Sequence, residues 1–126
     1  MTDDYVVRPS PIHGKGLFAA RAFRRGERIG EYRGRILKRS EVIGNKKRDC
    51  TYLVGLAGGR RYIDGTNELR YANHADGSEG RSPNARLREL DNKRVYLYAT
   101  RAIHKGQEIL FNYGYNAARQ ACDITS

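Results

Sequence analysis

Short runs in which apolar and polar residues alternate dominate the chain. Residues 95–100 place valine, leucine and alanine at every second position, between tyrosines and a threonine, which predicts a strand with one buried face. Residues 85–90 precede this strand across an Asp-Asn turn, so the two segments predict a β-hairpin. Residues 51–56 and 60–63 flank two glycines and predict a second hairpin.

The remaining pattern predicts shorter or less regular elements. Residues 28–34 form one predicted strand, with residues 36–37 extending it or pairing with it. The polar stretch 38–49 is the best helix candidate, although Gly44 lowers its helix propensity. Residues 67–71 predict one short helical turn. Many short strands, little helix and frequent glycine turns together predict a β-rich fold, of the α+β type with minor helix.

The length and the charge of the chain limit its organisation and its partners. A chain of 126 residues forms one domain with a modest core, and its ends at 1–4 and 117–126 are predicted to be flexible tails. The formal net charge of +10 is compatible with an acidic partner surface, nearby nucleic acid or simple solubility. Arginines are scattered from Arg8 to Arg119 rather than grouped in one block. This scattering favours a generally basic surface over a dedicated nucleic-acid arm.

The composition argues against several classes of protein. Cys50 and Cys122 are the two cysteines, and no Cys-x-x-Cys or Cys/His cluster is present. The sequence therefore predicts no metal site, and free thiols in a reducing compartment. No apolar run approaches the roughly 20 residues of a membrane helix. We therefore expect a soluble, intracellular protein without a membrane partner.

Three segments carry residues of the types used in binding and catalysis. They read G-K-G at 14–16, R-Y-A-N-H at 70–74 and G-Q-E-I-L-F-N-Y at 106–113. Taken alone, the glycines fit either a tight turn or close approach of the backbone to a ligand, and the third segment fits an ordinary last strand. In their order, however, the three segments resemble those of SET-domain protein-lysine methyltransferases. The resemblance covers nearly all of the chain from Tyr5 to Tyr115.

This resemblance implies a fold and an activity. SET domains consist of several small sheets, and their C-terminal segment is threaded through an earlier loop like a pseudoknot, an exception to the rule that chains avoid knots. We therefore expect residues 1–126 to form a single SET domain. The family transfers methyl groups from S-adenosylmethionine (SAM) to lysine side chains. SAM is thus the expected cofactor, and a protein is the expected substrate, for example a histone or another basic protein.

The resemblance also implies catalytic residues. Tyr113 matches the near-invariant tyrosine of the family's active site, and Tyr32, in the E-Y-R-G run 31–34, matches a tyrosine of the lysine channel. Phe111 lies where family members carry phenylalanine or tyrosine to set how many methyl groups fit, which predicts di- or trimethylation. From the residues alone, packing in the core of a strand is the better explanation for Tyr32 and Phe111.

The resemblance also implies that a further set of residues binds the cofactor. These positions are Gly14, Lys15, Gly16, Leu17, Arg70, Tyr71, Asn73 and His74. Asn73 and His74 match the family's Asn-His pair, and backbone groups of the first segment complete the expected site. The other histidines and tyrosines outside the three segments are expected to be structural, to face solvent or to pack: His13, His104, Tyr52, Tyr62, Tyr96 and Tyr98.

The sequence departs from the family pattern at three points. Ala75 replaces the frequent serine after Asn-His, and the loop 76–82 is longer than the usual link to Pro-Asn. No cysteine-rich zinc segment accompanies the domain, which favours a minimal member of bacterial or viral type.

Two other functions are compatible with the sequence. A SET-like module can bind SAM or a protein without turnover, and a small basic β-domain can bind nucleic acid by stacking tyrosines on bases. For the methyltransferase, nucleic acid is expected only as an indirect partner, and the choice between monomer and homodimer is open. The expected location is the cytoplasm, or the nucleus (of a host, if the source is viral) for a histone substrate.

Overall fold

The computed structural model describes residues 4–45, 47–48, 51–91 and 93–113. This part of the chain contains many short strands and little helix, as predicted. The strands are β1 (Tyr5–Pro9), β2 (Lys15–Ala19), β3 (Arg28–Tyr32), β4 (Gly34–Lys38), β5 (Leu53–Leu56), β6 (Arg61–Gly65), β7 (Asn73–His74), β8 (Ala85–Leu90), β9 (Arg94–Ala99) and β10 (Leu110–Phe111). The helical elements are α1 (Arg39–Val42) and the 3-10 turns Ala57–Gly59, Glu68–Tyr71 and Ser78–Gly80.

The strands form three small sheets. β1 and β2 pair antiparallel, and β4, β6 and β5 form an antiparallel sheet in that order. The largest sheet has the order β3-β9-β8-β10-β7. Its first three strands are antiparallel, whereas β10 runs parallel to both β8 and β7. The last strand of the described chain therefore lies inside the largest sheet rather than at its edge.

Both predicted hairpins are confirmed, as β8–β9 and β5–β6. The predicted helical turn at 67–71 is confirmed as the 3-10 turn Glu68–Tyr71. The single strand predicted at 28–34 is wrong, because the chain changes sheet at Arg33, whose backbone N–H donates to the Asn67 side-chain oxygen at 3.1 Å. β3 joins the largest sheet, and β4 joins the three-stranded one.

The helix predicted at 38–49 is wrong in its length. α1 covers four residues, and at its start the Glu41 carboxylate accepts a hydrogen bond from the Lys38 backbone N–H at 3.0 Å. Ile43 is already extended, and Gly44 has φ +74°. Glycine adopts this left-handed conformation at little cost, and a right-handed helix cannot continue through it.

The main hydrophobic core lies on one face of the largest sheet. Ile29, Val95, Leu97 and Ala85 point into it from β3, β9 and β8, and each is at most 3% exposed. Burial of a large aliphatic side chain of this kind stabilises the fold by roughly 1.5–3 kcal/mol. A smaller cluster beside the three-stranded sheet consists of Leu37, Val42, Leu53 and Tyr62.

The closing segment is a shorter strand than the sequence predicts, because only Leu110–Phe111 has strand geometry. It nevertheless pairs with β7 on one side and β8 on the other. Since loop 75–84 connects β7 to β8, β10 lies between two strands that this loop joins. This arrangement agrees with the threaded course that the resemblance implies.

Some predictions concern residues that the structure does not describe. The tail 117–126, Cys50, Cys122 and Tyr115 lie outside the described residues, as does all of the tail 1–4 except Asp4. Within the described part, no helix is long and apolar enough to cross a membrane.

Candidate functional site

A cavity of about 780 Å³ opens where the loop before β2, the 3-10 turn Glu68–Tyr71 and β7 meet. Pockets for small molecules commonly have volumes of roughly 300–1,000 Å³. The predicted site residues that line it are Gly14, Lys15, Arg70, Tyr71, Asn73, His74 and Tyr113. The predicted residues that do not line it are Gly16, Leu17, Tyr32 and Phe111. The structure thus brings residues of all three sequence segments to one cavity.

Asn73 connects these segments. Its side chain is nearly buried, at 7% exposure. Its Nδ2 donates to the backbone carbonyls of His13 and Lys15, both at 3.1 Å, and to the Glu108 carboxylate at 2.9 Å. Because one amide group serves three acceptors from two distant segments, Asn73 fixes the position of the first segment relative to the third.

Glu108 is the second connection, and sequence reasoning did not single it out. Both of its carboxylate oxygens accept from the Ser10 hydroxyl, at 2.8 and 2.9 Å, in addition to the bond from Asn73. A Cβ atom at Gly16 would overlap this carboxylate and would lie 2.9 Å from the Ser10 Cβ. Gly16 therefore allows the close approach of Glu108 behind the cavity wall.

His74 positions the backbone of the closing segment. Its Nδ1 accepts from the Tyr113 backbone N–H at 3.0 Å, and its Nε2 lies 3.3 Å from the Asp76 carboxylate. When His74 is neutral, this pattern places its proton on Nε2. The pKa of Asp76 is lowered to about 2, chiefly by hydrogen bonds from the Ser78 hydroxyl and backbone N–H and also by His74. Asp76 is therefore an anion at the cavity rim at neutral pH.

Tyr113 forms part of an aromatic group at one end of the cavity. Its hydroxyl donates to the Ala72 carbonyl at 2.7 Å. Its ring centroid lies 5.0 Å from that of His74 and 4.8 Å from that of Phe111. Phe111 is 3% exposed and belongs to the main core. Phe111 therefore contacts the Tyr113 ring from the core side.

Tyr32 lies deeper than the cavity wall. It is 1% exposed, and its hydroxyl donates to the Tyr52 carbonyl at 2.6 Å. The Tyr52 ring lines the cavity and meets the Tyr71 ring edge to face, with centroids 6.0 Å apart. Tyr32 therefore lies behind Tyr52 and does not line the cavity itself. Its role in the lysine channel stays a prediction.

Two cations border the cavity beside Tyr71. The Arg70 guanidinium stacks over the Tyr71 ring, 4.3 Å from its centroid, and donates to the Tyr71 hydroxyl at 2.7 Å. The Lys15 ammonium lies 5.4 Å from the same centroid. Cation–π contacts and hydrogen bonds hold Arg70 in one orientation, so this side of the cavity can receive an anionic group.

Sequence reasoning missed several residues of the site. The cavity also contains His13 and Tyr52, which were expected to face solvent or pack, and the loop residues Asp76, Glu79 and Arg81. Asn84 is missed as well. It links β8 to the closing segment, because its side chain donates to the Glu108 carbonyl at 2.9 Å and accepts from the Leu110 N–H at 2.8 Å. The only signal for it was its place after a proline in a polar loop.

The loop 75–84 forms part of the cavity wall. It contains the 3-10 turn Ser78–Gly80, and the Gly77 N–H donates to the Arg81 carbonyl at 2.8 Å. Among the described residues, no group of three or more His, Cys, Asp or Glu side chains is arranged as metal ligands.

Comparisons with known proteins agree with this geometry. The N-lysine methyltransferase KMT5A-A of Xenopus laevis is 31% identical over 117 residues, which cover 80% of this chain and 33% of the relative. The chain thus spans about a third of the length of this relative. A structure of the Polycomb Repressive Complex 2 of Chaetomium thermophilum, in an autoinhibited conformation bound to S-adenosylmethionine, superposes with a TM-score of 0.70 at 27% identity. It matches 92% of this chain and 16% of that one.

A structure of an isolated domain gives a further comparison. The methyltransferase domain of human PR domain-containing protein 2 superposes with a TM-score of 0.65 at 25% identity, covering 88% of this chain and 77% of that domain. Residues 14–114 match the SET domain family. This match includes all three sequence segments and every described residue of the cavity wall from Gly14 onward. The chain therefore belongs to the SET-domain family.

Proposed function

We propose that this chain is a SAM-dependent protein-lysine N-methyltransferase. The observation that carries the proposal is the convergence of segments 14–16, 70–74 and 106–113 on one cavity, held there by the hydrogen bonds of Asn73 and Glu108. Family membership and a relative named as an N-lysine methyltransferase support it. An ordinary last strand would not require this polar connection to the first segment.

The residues of the cavity fit SAM. SAM combines an apolar-faced adenine, a carboxylate, an ammonium and a sulfonium. The aromatic rings of Tyr52 and Tyr71 can pack against apolar parts, and Arg70 and Lys15 can hold the carboxylate. Asp76, an anion at the cavity rim, can pair with the ammonium or the sulfonium of SAM. Backbone groups at His13–Lys15 and at β7 would supply further hydrogen bonds.

The reaction requires an uncharged lysine in line with the donor. When bound, SAM supplies an electrophilic methyl group, and the lysine amine, after losing a proton to solvent, forms a carbon–nitrogen bond to it as the carbon–sulfur bond breaks and leaves a neutral thioether. The reference lysine pKa is about 10.4. Burial and a nearby positive charge both lower it, and correct alignment can contribute about 7–11 kcal/mol.

Tyr113 is the residue that we place next to the lysine amine. Its hydroxyl already donates its one hydrogen to Ala72, so toward a ligand the oxygen acts as an acceptor. An acceptor held in this way can orient an amine by its N–H group. Tyr113→Phe should therefore reduce turnover by about 100-fold while the affinity for SAM is kept. If Tyr113→Phe binds SAM and turns over at the wild-type rate, Tyr113 has no part in the mechanism.

The substrate that we propose is a basic protein such as a histone. A chain with net charge +10 repels a basic protein at long range. Glu79 does not oppose this repulsion, because it pairs with Arg81 at 2.9 Å, and Asp76 is the proposed partner of SAM. Support for this substrate class comes instead from the similarity to a Polycomb Repressive Complex 2 structure in complex with H3K27me3 and H3K27M.

Calorimetric titration with SAM in the presence of a chelator tests the site. Binding should persist in chelator, because the site uses backbone groups, Asn73 and aromatic rings. Asn73→Ala should weaken binding at least tenfold, because the His13 and Lys15 carbonyls lose the amide that donates to them and Glu108 keeps only the bond from Ser10. Asn67→Ala is the control, since the Asn67 side chain donates to Glu31 outside the cavity. Equal losses in both variants, or loss of binding in chelator, would overturn the site.

We further propose that the product extends to di- or trimethyl-lysine. Phe111 packs against the core side of Tyr113 and has no hydroxyl with which to hold a water or the amine. Mass spectrometry of a substrate peptide after long incubation should show two or three methyl groups. Phe111→Tyr should shift the product toward monomethyl-lysine. A wild-type enzyme that remains active but stops at one methyl group would contradict this.

A further inference from the structure

The outer face of the largest sheet carries a group of arginines and tyrosines that the methyltransferase site does not use. Val95, Leu97 and Ala99 of β9 enter the core, so Tyr96 and Tyr98 point to the opposite face. Across from these tyrosines, neighbouring strands place arginines. The members of this arginine–tyrosine face are Arg28 on β3, Arg86 and Arg88 on β8, and Tyr96 and Tyr98 on β9.

The pairing register makes the face compact. Tyr98 lies between Arg28 and Arg86, and Tyr96 is opposite Arg88. The three arginines are exposed, whereas Tyr96 is only 9% exposed. Neighbouring strands are about 4.8 Å apart. The guanidinium groups thus come from two strands on either side of a tyrosine strip that they partly cover.

The tyrosine rings hold the guanidinium groups in place. The Arg28 guanidinium carbon lies 4.0 Å from the Tyr96 ring centroid, and its Nε and Nη2 donate to the Tyr98 hydroxyl at 3.2 and 3.1 Å. The Arg88 guanidinium carbon lies 5.3 Å from the Tyr98 centroid. A stacked guanidinium keeps N–H donors at the edge of its plane, where they can bind a phosphate.

The carboxylates near this face in the described part of the chain each have a partner outside the face. Glu31 lies on the face itself, opposite Tyr96, and pairs with Arg33 at 3.0 Å. Asp91 pairs with Arg94 at 3.4 Å. Glu89 points to the other side of β8, where it accepts from the Ala57 N–H at 2.6 Å. The arginine–tyrosine face is therefore positive and is complementary to an anionic surface.

We propose that the arginine–tyrosine face binds the phosphate backbone of a nucleic-acid duplex. The low exposure of Tyr96 beneath Arg28 argues against stacking of bases on the tyrosines, so the recognised group is the phosphate and the binding is independent of base sequence. Arg28 lies 58 positions from Arg86 and 60 from Arg88 in the sequence, and strand pairing brings it to the same face as these two. The scatter of arginines along the sequence favoured a generally basic surface, but strand pairing groups three of them at one local site.

This binding is separate from the proposed methyl transfer, because none of the five residues lines the cavity. A duplex on this face would also reduce the repulsion between a basic chain and a basic protein substrate, since both can bind the same polyanion. A failure of the methyltransferase proposal would leave this proposal intact, and the reverse also holds.

Salt dependence of duplex binding is the test. Fluorescence anisotropy with a labelled 20-base-pair DNA duplex, and with an RNA duplex of matched sequence, measures the binding constant between 50 and 200 mM salt. Three phosphate contacts predict a slope of log K against log salt of about −2.7, which is a roughly 40-fold loss over this range. The double variant Arg28→Gln/Arg88→Gln should retain about one contact and lose only roughly 3- to 4-fold. Both duplexes should behave alike.

The control removes the same charge from another sheet. Arg35→Gln/Arg61→Gln alters exposed arginines of β4 and β6, and it should keep the steep wild-type slope. Thermal unfolding of both double variants shows that each is folded, and methylation of a short peptide should be equal in both.

Three results would overturn the proposal. The first is an equal salt slope in the two double variants, and the second is tighter binding of the wild-type chain to single strands than to duplex. The third is that Arg28→Gln/Arg88→Gln loses binding to polyglutamate, measured in the same way, while its binding to the duplex is unchanged. The second result would indicate base stacking, and the third an acidic protein partner.

Discussion

The cavity wall and the three-stranded sheet β4–β6–β5 are stabilised by different interactions. The sheet has regular pairing from Gly34 to Lys38 on one side and from Leu53 to Leu56 on the other, with a small apolar cluster beside it. The cavity wall depends on the buried amides of Asn73 and Asn84 and on the half-buried Glu108 carboxylate, which join distant segments. One bond, from Ser10 to Glu108, spans 98 positions of the chain. We therefore expect the sheet to tolerate the loss of single polar groups better than the cavity wall.

The largest effect is expected where the sheet itself is most closely packed. A Cβ atom at Gly34 would overlap the Asp64 carbonyl oxygen and would lie 2.8 Å from the Gly65 Cα. Backbone atoms on a paired strand cannot move aside as a flexible side chain can. Gly34→Ala should therefore lower the free energy of unfolding by more than about 3 kcal/mol, as measured by urea denaturation.

Gly30→Ala is the control for this change. A Cβ atom there would lie 3.3 Å from Tyr5 and 3.4 Å from Leu69, both side chains that can shift. Its cost should be below about 1 kcal/mol. Equal losses at Gly30 and Gly34 would show that backbone packing of β4 against β6 is not the limiting feature.

Glu108→Gln, in the cavity wall, should weaken the affinity for SAM, whereas a matched change beside the three-stranded sheet should not. The substitution puts an amide N–H where Ser10 and Asn73 already donate, and hydrogen bonds to a charged group contribute about 1.5–3 kcal/mol. We expect a loss of stability of that size and, in addition, a roughly tenfold weaker affinity for SAM by calorimetry. Glu41→Gln, in α1 beside the three-stranded sheet, should leave the affinity unchanged. An affinity equal to wild type in both variants would show that Glu108 does not position the site.

Tyr32→Phe should cost about 1 kcal/mol in the free energy of unfolding, because the Tyr52 carbonyl loses one of its two donors and keeps the Gly65 N–H. The affinity for SAM should stay the same, since Tyr32 does not line the cavity. Tyr62→Phe in the smaller cluster is the control and should change stability less. Loss of turnover with unchanged SAM affinity would place Tyr32 in the lysine channel, as predicted from the sequence, whereas unchanged turnover would limit it to packing.

The smallest effect is expected at the exposed rim of the cavity. The pKa of Asp76 is about 2 in the folded protein, against an ordinary value of 3.8. The stabilising contribution of its carboxylate is therefore complete above about pH 4 and is lost as the pH falls toward 2. Wild type should melt slightly higher than Asp76→Asn at pH 7, and the difference should shrink as the pH is lowered from 5 to 2. A difference that is constant over this range would contradict the shift.

The alternation of apolar and polar residues predicted the hairpins. In a half-buried strand, successive side chains point in turn to the core and to solvent, as in residues 95–99. The alternation did not predict the division at Arg33 or the short α1, since both depend on tertiary contacts and on single positions such as Gly44. The three segments identified most of the cavity through a family resemblance. Glu108 lies in the third segment and Asn84 in the Pro-Asn pair, but their roles were not predicted, because their partners Ser10 and Leu110 lie 98 and 26 positions away and no local pattern signals such a bond.

Mass spectrometry of lysine methylation tests the central claim most directly. Purified chain is incubated with isotopically labelled SAM and with nucleosomes, free histones or a cell lysate, and modified peptides are then sequenced. Wild type should place labelled methyl groups on specific lysines, and Asn73→Ala and Tyr113→Phe should lose most of this label. If the wild-type chain binds SAM and labels no lysine in any of these substrates, or if both variants label as well as wild type, the cavity is not the site of protein-lysine methyl transfer.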